Sequence, residues 1–469
     1  MLKDADAAFA QVLSDMGITV KPAAPSYLEE PRGIYKARPG FVALPETTEQ
    51  VATIVKTCND ASVSIQPYGG GTGLVFGQLT WEGPLSLILS LEKMNAVRAV
   101  YPNEDAIVVE AGATVAEIQA AAAEVDRLFP LSYASQDSAR IGGGLSVNSG
   151  GLNVLRYGMA RDVCLGVEAV LPDGQIMHGL KRLRKDNTGY DLRHLLIGAE
   201  GTLGIITAAA LRLYPRPAEI ATAFLQVRDP QAAIELLSMF RARAGETVSA
   251  FELIAKSSFL QMAETNPDVR QPFDHAPDWA VLTELGMGAG ADPETMMGEL
   301  FEEAFEAGLV TDGAIAQSGQ QRADFWGFRE HIPESNYRLR AVASHDISLP
   351  LSELPDFVAK APTELEKLMP CRIACFGHLG DGNLHYNVFA PKGETRDGYM
   401  HLVDDISKLV HDMTMARGGS FSAEHGVGRK KVAELQHYGD PGKLAAMRAI
   451  KQALDPKGIM NPGAILPLD

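Results

Sequence analysis

The chain has 469 residues, an apolar content of 46% and a formal net charge of −17. That length exceeds one hydrophobic core and predicts two or three domains, and the acidic balance argues against nucleic acid or an anionic membrane as partner and favours a small molecule. Four cysteines, Cys58, Cys164, Cys371 and Cys375, are too few for a disulfide framework and fit a reducing cytoplasm.

The opening MLKDADAAFAQVLSDMG carries acids where a signal segment would be unbroken, and no run of 18 apolar residues occurs, so no transmembrane segment is expected. A short amphipathic helix is expected there, then an extended, proline-containing stretch at 24–33. From Phe41 a strand is expected, then a helix capped by Thr47 and Gln50 with Val51, Ile54, Val55 and Cys58 on one face, then a strand holding Val63 and Ile65. This β-α-β opening runs into Pro67-Tyr68-Gly69-Gly70-Gly71-Thr72-Gly73-Leu74. Glycines there let backbone N–H groups turn inward around a phosphate; without a ligand the stretch would be a flexible loop. It is neither a Walker sequence nor G-x-G-x-x-G. A second glycine-rich block spans 141–151 and a third spans 197–206, with strands expected at 85–90 and 106–110 between them. Three such loops suit an extended ligand of dinucleotide length.

Tyr214-Pro215-Arg216-Pro217 reads as a linker. Beyond it, expected strands at 222–227, 248–254, 279–285 and 345–349 alternate with helices at 230–244 and 293–307, a rhythm that predicts an antiparallel sheet with helices on one face. Residues 285–291 match the loose G-x-G-x-x-A form once, too weakly to assign a nucleotide role.

Residues 373–389, IACFGHLGDGNLHYNVF, read as a hairpin about Asp381-Gly382, because Asp-Gly suits a type I′ turn. A two-residue loop would set His378 opposite His385, with Cβ atoms about 4.5 to 5.5 Å apart. Asn387 and Phe376 would share the histidine face, and Cys371, Ile373 and Cys375 would point away. The Cys371, Cys375, His378 spacing is therefore read as buried thiols and not as a zinc pattern. A helix is expected over 401–417, with His401 and His411 solvated. Next, SFSAEHGVG sets the Glu424 carboxylate beside the His425 imidazole. With His378 and His385, Glu424 completes a two-histidine, one-carboxylate set that suits zinc, or manganese or iron; a structural salt bridge is the other reading of Glu424.

The order of RPGFVALPETTEQV, PYGGGTGLVFG, IGGGLSVNSGG, LRYG, LRKDNTGYDLRHLLIGAEGTLGIIT, GHLGDGNLH, SAEHGVG and DPKGIMNPGAILP resembles the vanillyl-alcohol-oxidase-type (PCMH-type) flavoproteins, in particular their D-2-hydroxyacid dehydrogenase branch. The resemblance implies an α+β chain: a two-subdomain FAD-binding domain at 1–215, an antiparallel-sheet cap at 216–428 that carries substrate and metal, and a C-terminal helical segment at 429–469 returning to the FAD domain. It implies FAD contacts at Pro67, Gly69, Gly70, Gly71, Thr72, Gly73, Leu74, Gly77, Gln78, Ser138, Gly142, Gly143, Asn148, Gly151, Glu200, Gly201, Ile206 and Asn461. It assigns His378, His385 and Glu424 to the metal, His425 to the catalytic base, and Arg329, Asn387 and the Ser344 position to substrate. Where hydroxyglutarate dehydrogenases carry a threonine and a lysine beside that arginine, this chain has Pro333 and Ser344. D-2-Hydroxyglutarate is thus set narrowly ahead of D-lactate or D-malate, with an electron-transfer flavoprotein or quinone as acceptor; an oxidase, a flavin sensor without turnover, and a homodimer stay open. All eleven histidines lie at or beyond His178, so FAD is expected to be non-covalent.

Overall fold

The computed structural model describes residues 1–30, 33 and 35–468, so Pro31 and Arg32 of the expected extended stretch lie outside the described residues. The chain forms two compact units. Residues 1–151, 158–216 and 424–469 make the first, and residues 152–157 and 217–423 make the second.

In the first unit the helix Thr48–Ala61 begins where the capping signal predicts. Thr47 Oγ1 accepts the Gln50 N–H at 3.2 Å, Gln50 Oε1 accepts the Glu46 N–H at 2.7 Å, and Val51, Ile54, Val55 and Cys58 are buried. The helix joins Phe41–Leu44 to Ile65–Tyr68, both parallel to Leu87–Ser90, in a sheet completed by Thr19–Pro22. A second, antiparallel sheet runs in the order Val97–Tyr101, Ala106–Glu110, Ile205–Arg212, Cys164–Val170, Ile176–Gly179. One apolar core joins the two, with Ile65, Leu89, Ile107, Val109 and Leu211 inside it. The second glycine-rich block is mostly a helix, Ile141–Val147, and not a loop. A Cβ at Gly142 would stand 2.7 Å from Ala111 Cβ, so glycine lets this short helix press onto the neighbouring chain despite its poor helix propensity. The closing helix Pro441–Leu454 is tied down by Lys451 Nζ, which donates to Asp455 at 2.6 Å and to the carbonyls of Thr202 and Met460 at 2.8 Å.

The second unit is built on a seven-stranded antiparallel sheet. Its order is Val310–Ile315, Glu219–Val227, Trp279–Met287, Val248–Ala255, Arg372–His378, Asn383–Phe389, Ala343–Ser348. Helices pack on both faces, where the strand pattern led us to expect one. Leu225, Leu253, Val281, Cys375 and Tyr386 meet the helices Pro230–Ala244, Pro293–Glu306, Leu354–Glu366 and Val403–Met415. Phe224, Ile254, Leu282 and Phe376, of the opposite parity, meet Lys256–Thr265 and Gly319–Leu339. Strands apolar at both parities must be covered twice.

The second layer is aromatic. Phe224 is fully buried, edge-on to Phe273, Phe325 and Phe328 at 5.4, 5.7 and 5.9 Å between centroids. Phe224→Ala is expected to cost about 3–5 kcal/mol of stability by denaturant titration. A loss under about 1 kcal/mol would show that the two helices are not held by this cluster.

Candidate active site

The strands Arg372–His378 and Asn383–Phe389 pair as expected, but through a different turn. Leu379–Asp381 is a single 3-10 turn and Gly382 follows at φ 78°. A side chain at Gly382 would run into the Leu349 carbonyl, so the position needs glycine twice over. The register moves by two: His385 faces Phe376, Tyr386 faces Cys375 and Asn387 faces Ala374. A shift of two keeps every side chain on its face. His378 and His385 therefore remain neighbours, diagonally and not directly opposed, with ring centroids 5.5 Å apart at 82°. Cys375 is buried on the other face, as expected, and Cys371 is half-buried.

The flanking strands supply carboxylates to this histidine face. Asp346 stands opposite His385, and Ser344 stands opposite Asn387. Asp346 Oδ1 accepts from Asn383 Nδ2 at 2.9 Å and lies 3.9 Å from His385 Nδ1. On the other side Glu252 stands opposite His378. Its Oε1 is 2.6 Å from His378 Nδ1, and its Oε2 accepts from Arg329 Nε at 2.7 Å and lies 2.6 Å from a terminal guanidinium nitrogen in an ion pair. Burial would raise the Glu252 pKa, but the charges of Arg329 and then His378 outweigh it and bring it down to about 2. Glu252 escaped the sequence reading. The signal was there: a lone acid in the apolar strand VSAFELIA needs a buried partner.

Of the expected substrate residues, Arg329 is thus bonded to Glu252 and 4% exposed, Asn387 is buried on the histidine face, and Ser344 is half-buried beside it. Pro333 lies inside the helix that carries Arg329. His401 is exposed as expected, but His411 is buried, its ring 5.4 Å from that of His345.

In the first unit the expected FAD residues gather around the glycine loops. Pro67 lies in the strand Ile65–Tyr68, and the loop from Gly69 through Thr72 to Leu74, Gly77 and Gln78 follows. Gln78 Nε2 holds the loop by donating to the Gly73 carbonyl at 2.8 Å. Among the described residues, the N–H groups of Gly70 to Leu74 donate to no protein acceptor, so a run of donors is available to an anion. Gly69 and Gly143 approach so closely that a Cβ at Gly69 would be 3.4 Å from Gly143 Cα, and one at Gly70 would overlap the Ser138 carbonyl. A cavity of about 330 Å³ opens beside them, lined by Tyr68, Gly69, Gly70, Ser138 and Arg140 among others. This cradle, which a side chain would fill, fits the pyrophosphate of FAD.

The polar side chains in the set serve the protein instead. Asn148 caps its helix at φ 59° and its Oδ1 accepts the Arg161 N–H at 2.9 Å. Asn461 Oδ1 accepts from Arg429 at 3.1 Å, and its Nδ2 donates to the Glu200 carbonyl at 2.8 Å. Glu200, at φ 49°, accepts the Val427 and Gly428 N–H groups at 2.7 Å each, bracing the backbone just beyond His425. Gly201, at φ 71°, packs on Pro67, and Ile206 is buried in its strand beside a bulge. Gly151 donates its N–H to Glu424 Oε2 at 3.0 Å, and Glu424 Oε1 lies 4.0 Å from His425 Nε2.

A two-sheet unit with a glycine-lined anion cradle, followed by a unit built on an antiparallel sheet, defines a PCMH-type flavoprotein. Solved structures share the fold. p-Cresol methylhydroxylase with substrate bound aligns with a TM-score of 0.72 at 19% identity, covering 91% of this chain and 89% of that one. Alkyldihydroxyacetonephosphate synthase gives 0.71 at 19% identity, covering 98% of this chain and 87% of that one. Residues 39–179 match the family model "FAD binding domain" and residues 216–465 match "FAD linked oxidases, C-terminal domain". The chain is 36% identical to the mitochondrial D-2-hydroxyglutarate dehydrogenase of Bos taurus, over 90% of this chain and 76% of that protein. It is 34% identical to the D-2-hydroxyglutarate dehydrogenase of Xanthomonas citri pv. viticola, over 91% of this chain and 89% of that one. The chain belongs to the FAD-linked oxidase family and is an FAD-dependent dehydrogenase. No helix among the described residues is long and apolar enough to cross a membrane.

Burial raises the Glu200 carboxyl from its ordinary 4.5 to about 7, against the pull of the two backbone N–H groups and of Lys431 and Arg429. Between those values the folded chain holds a proton that the unfolded chain has released, so stability falls as pH rises through that window. The loss is on the order of 3 kcal/mol. Glu200→Gln cannot titrate, and the difference in unfolding free energy between wild type and variant should shrink by that amount from about pH 5 to about pH 8. A pH-independent difference would sink this reading.

Proposed function

We propose that the protein oxidises a D-2-hydroxyacid to the 2-oxoacid, with D-2-hydroxyglutarate, named in its relatives, as first substrate. What carries the reading is the pair of imidazoles, His378 and His385, held 5.5 Å apart on a sheet face that also presents Asn387 and Ser344. In this reading the first unit binds FAD non-covalently, substrate belongs to the second unit, and Glu424 joins the two histidines around a divalent ion, zinc by preference. Support for Glu424 is local. Ala423 donates its N–H to the carbonyl of Asp346, the residue facing His385, at 3.2 Å, and Glu424 is the next residue along.

When bound, FAD supplies the hydride acceptor, and the ion supplies Lewis acidity at the substrate hydroxyl. The chain's own groups do the rest. His425 accepts the hydroxyl proton at an imidazole nitrogen, so that the C–O bond becomes a carbonyl as the carbinol hydrogen leaves with its electron pair. Asn387 donates to the substrate carboxylate, Ser344 beside it offers a hydroxyl, and Arg329 orients the acid by charge.

A second reading, D-lactate or D-malate, is favoured by Pro333 and Ser344, which offer a distal carboxylate no cation. The acceptor in either case is an electron-transfer flavoprotein or a quinone. The four cysteines are unpaired, which suits a cytoplasmic setting.

Anaerobic bleaching of the bound flavin by a panel of D- and L-2-hydroxyacids tests the assignment. D-2-hydroxyglutarate should bleach fastest, and a faster D-lactate would move the assignment to the shorter acid. His425→Ala should keep the flavin spectrum and lose about 10²–10⁴-fold in kcat; near-normal turnover would remove His425 from the mechanism. Acid precipitation should leave the yellow colour in the supernatant, because no histidine precedes His178. Colour in the pellet would mean a covalent flavin.

A further inference from the structure

We propose that Glu252 is a positioning residue with two duties, one per oxygen: Oε1 fixes His378 as a metal ligand, and Oε2 fixes Arg329 toward substrate. The proposal rests on the assignment of His378 to the ion made above. The pairing of Val248–Ala255 with Arg372–His378 puts Glu252 directly opposite His378. A carboxylate only accepts hydrogen bonds, so the 2.6 Å contact to His378 Nδ1 requires the proton on Nδ1. With the proton fixed there, the neutral form of the ring carries its lone pair on Nε2, the form a ligand needs.

The same carboxylate fixes Arg329. Two nitrogens of the guanidinium point at Glu252 Oε2, at 2.7 and 2.6 Å. The guanidinium also lies 4.9 Å from the centroid of the Phe376 ring, which stands 5.0 Å from His385. Among the described residues the second terminal nitrogen, NH1, donates to no protein acceptor, and it is the group left for a substrate carboxylate. Disturbing Glu252 should therefore weaken metal and substrate binding together, although it touches neither.

Glu252→Gln is the informative change. The amide oxygen can still accept from Arg329, but the amide NH₂ then faces His378 Nδ1, which must become an acceptor and move its proton to Nε2. Zinc affinity of the FAD-bound protein, measured without substrate by competition with a chromophoric chelator, should fall about 10–100-fold. The KM for the D-2-hydroxyacid should rise as well. Glu252→Asp keeps the charge and should recover part of the zinc affinity. Flavin absorbance and thermal unfolding of the zinc-free variants report whether each is folded, and if Glu252→Gln is not, Glu252→Asp alone is compared with wild type, where unchanged zinc affinity and KM overturn the proposal.

His378→Ala separates the two levels of the argument. If His378→Ala binds zinc as wild type does, the ligand assignment itself is wrong. If His378→Ala loses zinc while folded Glu252→Gln binds it normally, or if Asp recovers nothing over Gln, the ligand stands and the role of Glu252 is overturned.

Discussion

A carboxylate buried to 1% exposure inside a β-sheet is a severe constraint on a fold. The desolvation of an unpaired ion costs several kcal/mol, so Glu252 dictates what may surround it. Its partners come from 77 and 126 residues away in sequence, Arg329 on a helix and His378 at the end of a strand. The helix Gly319–Leu339 must therefore lie on the histidine face of the sheet. The strand Arg372–His378 must also take the register that sets His378 opposite Glu252. A slip of two residues would keep the apolar residues on their faces, so hydrophobic alternation alone tolerates it. It would also leave the carboxylate facing no imidazole. The charge discriminates between registers that burial cannot tell apart.

The first unit solves a different problem with a different material. An extended anionic ligand must come within hydrogen-bonding distance of several backbone turns at once, and only chain without side chains allows it. Around the loop from Gly69 to Leu74 the neighbours are Gly143 and the Ser138 carbonyl, packed too closely for a Cβ at Gly70. Bare backbone is not rigid, so the bracing falls to polar side chains nearby. Glu200 holds the N–H groups of Val427 and Gly428, Asn461 holds Arg429 and the Glu200 carbonyl, and Gln78 holds Gly73. The side chains of Gln78, Glu200 and Asn461, which the family resemblance marks as cofactor contacts, thus bond to the protein's own backbone.

Much of this could be read from the residues alone, and the misses share a cause. Local signals held: the cap at Thr47, the face of Val51, Ile54, Val55 and Cys58, and the burial of Cys375 away from His378. The Asp-Gly dipeptide announced the hairpin but not its turn, because Gly382 needs a left-handed conformation in either loop and the choice depends on the Leu349 carbonyl packed against it. The block Gly142-Gly143-Gly144 looked like a loop, since glycine is a poor helix former, and became a helix through contact with Ala111. His411 looked solvated on a helical pattern and is buried against His345, the third residue of the strand Ala343–Ser348, which no local cue announces. Glu252 was visible as an oddity, but its partners required the sheet order, which no local window contains.

The positions of Pro333 and Ser344 bear on reach more than on reaction. Pro333 sits four residues after Arg329 within one helix, and lacking an N–H it leaves the Arg329 carbonyl without its usual helical donor. It also presents no hydroxyl or charge along that side of the helix. Ser344 is on the edge strand directly opposite Asn387, and its short side chain carries a hydroxyl and no charge. Arg329 already shares its charge with Glu252, which reduces what it can offer a second carboxylate. In the proposed function, the 2-hydroxyacid end, common to every substrate in the class, is served by groups the sheet fixes firmly: Asn387 and the two imidazoles. On the same proposal the far end is left to Arg329. On that proposal, chemistry at the carbinol carbon depends on the sheet, and selectivity between long and short acids depends on how much of one guanidinium remains.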